Sequence, residues 1–457
     1  MKLLAILLLL SMPAVGQAQF TFTTNNDGSL NISTYSGSGA LTIPDTFNNL
    51  PITSIGYNAF HLSGLNSVAM GTNITSIGIE AFMSSSFLKS VTIGSNVTSI
   101  GNGAFMNCAV LKSITIPDSV TNFGVNMFML SPKLVSATLG NGVTSLPNNT
   151  FEDCTSLTNV VIGRSVASMG NAVFTQCPLI AITVDPQNQF YCSVNGVFFD
   201  KKQAALILCP GAQAGSSYAI PDSVTTIGQD AFYGCISLTS ITIPNHVTDI
   251  QTSAFSGCSS LTSVTIGNSV ANIEDAAFEG CSGLTSAIIP DSVTTIGQFA
   301  FYNCTSLATV IIGRGIATIV GGAFLDCSSL QGVYFRGNAP SSSESFSGDG
   351  SATAYYLPGT LGWSSRFGDP YGLPTAPWFL PNPTILNFEP NFGIQTNHFG
   401  FAISWATNIS AVVEACTNLA NPVWSPMATN SLTGGSCYFS DSQWTNYSRR
   451  FYRLRSP

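Results

Sequence analysis

Charge is scarce in this chain. Only 8% of its 457 residues are Asp, Glu, Lys or Arg, against about 25% in ordinary soluble domains. The formal net charge is −8, which removes the basic footprint that nucleic-acid phosphates or anionic membranes need; no nucleic-acid partner is expected. Histidine is rarer still. His61, His246 and His398 are scattered and show no ligand spacing such as His-Glu-x-x-His, so no metal is expected. Tryptophan is absent before residue 360. After the first twenty residues no apolar run approaches the 18 needed to cross a bilayer. The acidic pairs Glu152-Asp153 and Glu274-Asp275 fall at predicted outer turns, where solvated charge is expected, so no general acid and base can be nominated. The chain is instead 45% apolar, with its polarity supplied by Ser, Thr, Asn and Gly.

The opening "MKLLAILLLLSMPAVGQAQF" has one Lys, an apolar run over Leu3 to Leu10 and small residues up to Ala18. It predicts a secretory signal, residues 1–18, cut after Ala18. The first cysteine is Cys108, so no lipid acceptor follows the signal. "LPGT" at Leu357 to Thr360 is broken as a sorting motif by Leu361. The expectation is an exported chain, secreted or held at the cell surface, with no membrane span after processing.

What the chain has in abundance is repetition. Phe60, Phe82, Phe105, Phe128, Phe151 and Phe174, then Phe232, Phe255, Phe278, Phe301 and Phe324, are spaced by 23 residues, except for a first interval of 22 and a central one of 58. A fixed period in this range predicts a solenoid whose units stack only on their neighbours. Within one unit, Leu238, Ile241 and Ile243 suit a short strand with alternate side chains turned inward, ended by Pro244 or, in other units, by Gly94, Gly267 or Gly313. Val247 to Ile250 suits a second short strand. The segment around Ala254, Phe255 and Cys258 predicts a 3₁₀ or single helical turn. Stacked at about 4.8 Å per rung, the units would give an arc roughly 55 Å long with the phenylalanines as an internal column.

The pattern Leu-x-x-Val/Ile-x-Ile-Pro-x-x-Val-x-x-Ile-Gly-x-x-Ala-Phe-x-x-Cys resembles the 23-residue leucine-rich repeat of the BspA-like family of bacterial surface proteins, over residues 41 to 338. "LNISTYSGSGALTIPDTFNNLPITSIG" before it resembles that family's N-terminal segment, with Leu41 to Ile43 as a first strand. The resemblance implies a curved array outside the cell, adhesion to host or matrix proteins for some members, and no catalytic residues or cofactors. The fold expected is therefore an α/β-type repeat solenoid, mostly β, with a parallel sheet and short turns.

The organisation read from the chain is a capping segment at 19–48, repeats at 49–338 with a hairpin insertion at about 185–220, a cap and linker at 339–380, and a small β-sandwich at 381–457. The 58-residue interval is one period plus 35, so one rung is rebuilt around a hairpin, Val197 to Phe199 with Ala205 to Leu208. Beyond Phe335, Ala352 to Leu357 suits a final capping strand and Pro374 to Pro383 a stiff linker. The sandwich is read from short runs at Phe399 to Trp405, Ala411 to Ala415, Ser436 to Phe439 and Arg450 to Leu454.

Eight of the twelve cysteines occupy one position, three residues after the repeat phenylalanine. Their Cβ vectors would run parallel on adjacent rungs, which opposes disulfides, and Ser85 and Ser131 hold the same position. Buried free thiols that hydrogen-bond the turn backbone are expected. Cys192 and Cys209 flank the hairpin and their redox state is open. Cys416 and Cys437 lie outside the repeats in an exported module and are expected to pair.

Two short motifs suggest chemistry only superficially. Gly313-Arg314-Gly315 begins like a dinucleotide fingerprint, but Thr318 replaces the last Gly; Asn25 to Ser29 reads as a hairpin turn rather than a calcium loop. The candidate partner-binding residues are the outward positions of the main strands: Lys89, Ser90, Thr92, Lys112, Ser113, Thr115, Thr239, Ser240, Thr242, Thr262, Ser263, Thr265, Thr285 and Ser286. The function expected is a monomeric, non-enzymatic protein presenting an elongated Ser/Thr-rich concave surface to a protein or glycan. The alternatives are a spacer displaying the terminal module, a lattice- or polysaccharide-binding solenoid, and an enzyme within residues 384 to 457.

Overall fold

A computed structural model describes residues 20–342, 344–346, 351–368, 372–380, 382–387, 389–390, 392–395 and 398–455. The expected signal at 1–18 lies outside them. The chain divides into two compact units, Met1–Ser216 with Ile227–Ser237, and Ser217–Thr226 with Leu238–Pro457. The division falls at the rebuilt rung, not at residue 339 where the repeat pattern ends. Nearly all regular structure is β; the described helices are one turn at Gly211–Ala214 and a 3₁₀ turn at Trp444–Asn446.

The first unit opens with an antiparallel hairpin, Phe20–Thr24 against Leu30–Tyr35. Its turn is tied by Asp27, whose Oδ1 accepts from the Ser29 N–H at 2.9 Å and hydroxyl at 2.6 Å, and Gly28 sits at φ +83°. Asn25 to Ser29 is thus a turn with its acceptors used locally. Parallel strands follow, Ser38–Thr42, Gly64–Ala69 and Ser90–Thr92 in one sheet, then Ser113–Ile116, Ser136–Leu139, Asn159–Ile162 and Ala181–Val184 in another. The period-2 alternation sets their faces: Ile114 and Ile116 are buried while Ser113 and Thr115 are exposed. Two-residue strands such as Ser76–Ile77, Ser99–Ile100 and Asn122–Phe123 form a second parallel wall.

The third wall is the turn that carries each phenylalanine. The expected 3₁₀ or helical turn is not formed. In every rung the residues two before and two after the phenylalanine have positive φ, as at Asn126 (55°) and Leu130 (60°) around Phe128, or Ala276 (54°) and Gly280 (65°) around Phe278. Alternating right- and left-handed residues points every second N–H group along the stack, where it meets the next rung: the Phe60 N–H donates to the Ala81 carbonyl at 2.8 Å and the Phe82 N–H to that of Ala104 at 2.8 Å, while the intervening His61 N–H bonds back to Asn58 at 3.0 Å. A helical turn would have directed those donors back into its own rung.

Phe60, Phe82, Phe105, Phe128, Phe151 and Phe174 stack with centroids 4.8 to 5.9 Å apart. Burying each contributes about 1.5–3 kcal/mol. The rebuilt rung is a three-stranded antiparallel element, Tyr191–Val194, Val197–Asp200 and Ala205–Leu208, one strand more than the expected hairpin. Cys209 takes the phenylalanine's position there: its N–H donates to the Ala231 carbonyl at 2.8 Å, as Phe60 does to Ala81. It is a free thiol, as is Cys192, whose Sγ donates to the Asp200 carbonyl at 3.3 Å.

The second unit repeats the plan with strands Ser217–Ala219, Ser240–Thr242 and Ser263–Thr265, then Ser286–Ile289, Thr309–Ile312, Gly332–Phe335, Thr353–Tyr356 and Leu373–Pro377. The last of these is a correction. Pro374 to Pro383 was expected as linker, but Thr375 and Ala376 pair with Ala354 and Tyr355. Proline suits an extended strand wherever its missing N–H is not required by the ladder. The phenylalanine column also continues past the repeats: Phe346 stacks on Phe324 at 5.0 Å.

Two antiparallel sheets close the unit. One holds Thr384–Leu386, Phe392–Gln395, His398–Ser404 and Ser436–Asp441; the other holds Ser410–Cys416, Ser425–Ser431 and Phe451–Arg455. They share a core of Phe401, Ile403, Ala411, Val413, Leu432 and Phe439, as the expected sandwich requires. Its expected disulfide is not formed. Cys416 and Cys437 are free. Cys437 pairs with Ile403, near the loop that leads into Ser410, whereas Cys416 ends the following strand opposite Phe451. Six strand residues span about 20 Å, far beyond the roughly 4.4–6.8 Å Cα separation of a disulfide.

Candidate binding surface

The residues predicted on the outward face are there. Lys89, Ser90, Thr92, Lys112, Ser113 and Thr115 are exposed in the first unit, and Thr239, Thr242, Thr262, Ser263, Thr265, Thr285 and Ser286 in the second; Ser240 is half-buried. Their registers align like with like: Ser113 beside Ser136, Thr115 beside Thr138, Ser240 beside Ser263 and Thr242 beside Thr265. The hydroxyls fall into two groups. Thr262 Oγ1 donates to the Thr239 carbonyl at 3.0 Å and Thr285 Oγ1 to that of Thr262 at 3.4 Å, so these side chains bond the backbone of the preceding rung. By contrast, no side-chain hydrogen bond to a described residue engages Thr92, Thr115, Thr242 or Thr265. Their donors and acceptors face solvent.

Sequence reasoning missed how this face changes toward the end of the array. The column holding Thr242 and Thr265 continues as Ile288, Ile311, Tyr334 and Tyr355, the last four aligned side by side. Ile288 is 54% exposed. Tyr334 and Tyr355 stack with centroids 4.7 Å apart, and Trp378 meets Tyr334 edge-on at 5.1 Å. The signal was available in the alternation that locates Thr242, but an isoleucine at that position does not look like a surface residue. Beside the column, Arg314 Nε lies 3.3 Å from Asp291 Oδ2, and Arg314 donates through Nη1 to Asn387 of the terminal sheets. Arg336 is exposed and makes no ion pair among the described residues. Two recesses result. One of about 380 Å³ lies between Ile311, Leu357 and Trp378 of the array and Thr384 to Asn387 of the module. The other, about 350 Å³, runs from Thr265 and Ile288 to Arg336. Asp291 and Arg336 line both.

Other motifs prove architectural. Glu274 and Asp275, expected as solvated charge, tie rungs together: Glu274 Oε2 accepts from the Thr252 N–H at 2.9 Å and Asp275 Oδ1 from the Gln298 N–H at 2.7 Å. A Cβ at Gly313 or Gly315 would come within 2.5 Å of Pro290 or 2.1 Å of the Asp291 carbonyl, so rung packing, not a phosphate, requires those glycines. The recurring cysteines donate to the preceding rung's phenylalanine carbonyl, Cys108 Sγ to Phe82 at 3.4 Å and Cys281 Sγ to Phe255 at 3.2 Å, as Ser85 Oγ does to Phe60 at 2.9 Å. Burial pushes the Cys108 and Cys304 thiols up to about 12, which keeps them protonated at neutral pH. Among the described residues no cluster of three or more His, Cys, Asp or Glu is placed to hold a metal, and no helix is long and apolar enough to cross a membrane.

A stack of 23-residue rungs with parallel strands and an internal phenylalanine column defines a leucine-rich-repeat solenoid. The chain matches the BspA type leucine rich repeat region over residues 29–134, 53–181 and 214–347, and it belongs to that family. Among solved structures it is similar to the pneumococcal vaccine antigen PcpA, with 21% identity, a TM-score of 0.66 and coverage of 76% of this chain and 94% of that one. It is also similar to a leucine rich cell surface protein of Faecalibacterium prausnitzii A2-165, with 28% identity, a TM-score of 0.58 and coverage of 72% and 97%. A leucine-rich repeat protein of Eubacterium ventriosum ATCC 27560 matches at 26% identity and a TM-score of 0.53, covering 68% and 87%. No curated protein matches the chain.

Proposed function

We propose that this is an exported, surface-displayed binding protein with no catalytic activity, which engages a protein or glycan through the outward faces of its strands. The observation that carries the reading is the exposed threonines of the outward strands, Thr242 and Thr265 in one unit and Thr92 and Thr115 in the other, whose hydroxyls make no hydrogen bond to a described residue. Residues that served only folding would not need to leave hydroxyls in register and unengaged on a flat face; a partner's polar groups can use them without displacing an internal bond. The low charge means that shape and hydroxyl hydrogen bonds, with little steering, would set specificity. The "MKLLAILLLL" opening supports export, and the cell-surface description of the Faecalibacterium prausnitzii relative supports display. The second reading is a spacer that displays the terminal module, and the separate core of that module favours it.

The two readings part on one experiment. Full-length protein and its Thr242→Glu/Thr265→Glu variant are titrated over immobilised extracellular-matrix proteins and polysaccharides. The binding reading expects capture of at least one and a loss of about tenfold or more in the variant; equal capture by both proteins supports the spacer.

A further inference from the structure

Resting on the reading that the outward strand face binds a partner, we infer that the recess beside Arg336 takes an apolar side chain adjoining a carboxylate on an extended peptide. Three observations lead there. Ile311, Leu357, Trp378, Leu380, Ile385 and Leu386 form the apolar part of the lining, which suits an apolar group, and Asp291, Arg314, Arg336, Thr384 and Asn387 complete it, two guanidiniums against one carboxylate. The recess is about 380 Å³, near the small end of the roughly 300–1,000 Å³ of ligand pockets, so it suits a side chain more than a whole ligand. At its rim stands the one guanidinium of this region that the fold does not use: Arg314 is held by Asp291 and Asn387, while Arg336 is exposed and unpaired among the described residues. On a chain of net charge −8, an unengaged arginine beside an apolar recess offers a local complement to an anion.

The second recess, sharing Asp291 and Arg336 and running back to Ile288 and Thr265, gives the rest of the peptide a path across the strands.

The test uses full-length protein and three fluorescein-labelled pentapeptides: Gly-Ser-Gly-Leu-Phe with a free terminal carboxylate, the same peptide amidated, and amidated Gly-Ser-Asp-Leu-Phe. Anisotropy is the readout. At least one carboxylate-bearing peptide is expected to bind, about tenfold more weakly to Arg336→Gln, an exposed position whose replacement leaves the melting temperature unchanged, and more weakly still to Ile311→Asp. Whether the free terminus, the aspartate or both are accepted identifies the carboxylate's source. Failure of all three to bind at millimolar concentration, or binding of the uncharged amide as tightly as the others, overturns the inference. So does intact capture of a matrix ligand by Arg336→Gln where Thr242→Glu/Thr265→Glu abolishes it; the broader reading then stands and this one falls.

Discussion

The repeats and the terminal module solve one problem, holding β strands together, by opposite means. In the array each rung contributes the same apolar and sulfhydryl groups at the same positions, and almost no charge is buried. In residues 398–455 the strands are joined by ions as well as by a core. Asp441, 3% exposed, lies 2.7 Å from Arg450 Nη1 and accepts from the Tyr452 hydroxyl at 2.7 Å. Glu414 accepts from Arg453 Nε at 2.7 Å and Arg455 Nε at 3.0 Å, which holds its carboxyl below the usual range. The difference follows from repetition. A rung can borrow its neighbour's backbone for hydrogen bonds indefinitely, whereas a seven-stranded module has edges and ends that side chains must satisfy. Arginines of the last strands also pack on aromatic rings: Arg450 lies over the Tyr447 ring at 4.2 Å and Arg453 over Trp424 at 4.4 Å.

This contrast can be broken at chosen points. Phe278→Ala should have the largest effect, about 3–5 kcal/mol, because the rings of Phe255 and Phe301, each 5.1 Å away, are fixed by their own rungs and cannot fill the hole. Urea unfolding followed by far-ultraviolet circular dichroism would measure it. Asp441→Ala should cost about 3 kcal/mol by leaving Arg450 buried without its partner, and should loosen the module while sparing the array. Tryptophan emission reports that mainly from the module, where Trp405, Trp424 and Trp444 lie, while Trp363 and Trp378 pack on array residues Phe335 and Tyr334. Cys281→Ala should cost about 1–1.5 kcal/mol and Cys281→Ser under about 1 kcal/mol, because the hydroxyl restores the bond to the Phe255 carbonyl; an equal loss from both would show that volume alone matters there. Ala276→Gly should stabilise by about 1 kcal/mol, since Ala276 is held at φ 54°. A destabilised glycine variant in thermal unfolding would refute the strain assigned to that turn.

The period of 23 made the rung legible, and the alternation of Leu238, Ile241 and Ile243 showed which side chains turn inward. The phenylalanine column needed only its spacing. What stayed hidden depended on backbone conformation or on neighbours distant in sequence. Leu62, Ala276 and Phe299 are poor candidates for positive φ, yet the stack imposes it because each turn must aim every second N–H group at the next rung. Phe346 was masked by the surrounding serines and glycines, and Leu373–Pro377 by its prolines. Cys209 could be placed in the column only once the rebuilt rung was seen. On the outward face the threonines were readable as polar positions of strands, but the recess was not. Arg336 and Ile311 lie on successive rungs, and Leu386 is brought beside them by the module.

The central claim is that a partner is recognised on the array face and in the recess at its end, and not on the outer strands and turns of the module. It is tested most directly by hydroxyl-radical footprinting of the full-length protein, free and bound to a captured matrix ligand. The account predicts protection of Ile288, Ile311 and Tyr334, with Tyr438 and Tyr447 of the module equally reactive in both states. Protection confined to Tyr438 and Tyr447 would contradict it and leave the repeats as a spacer.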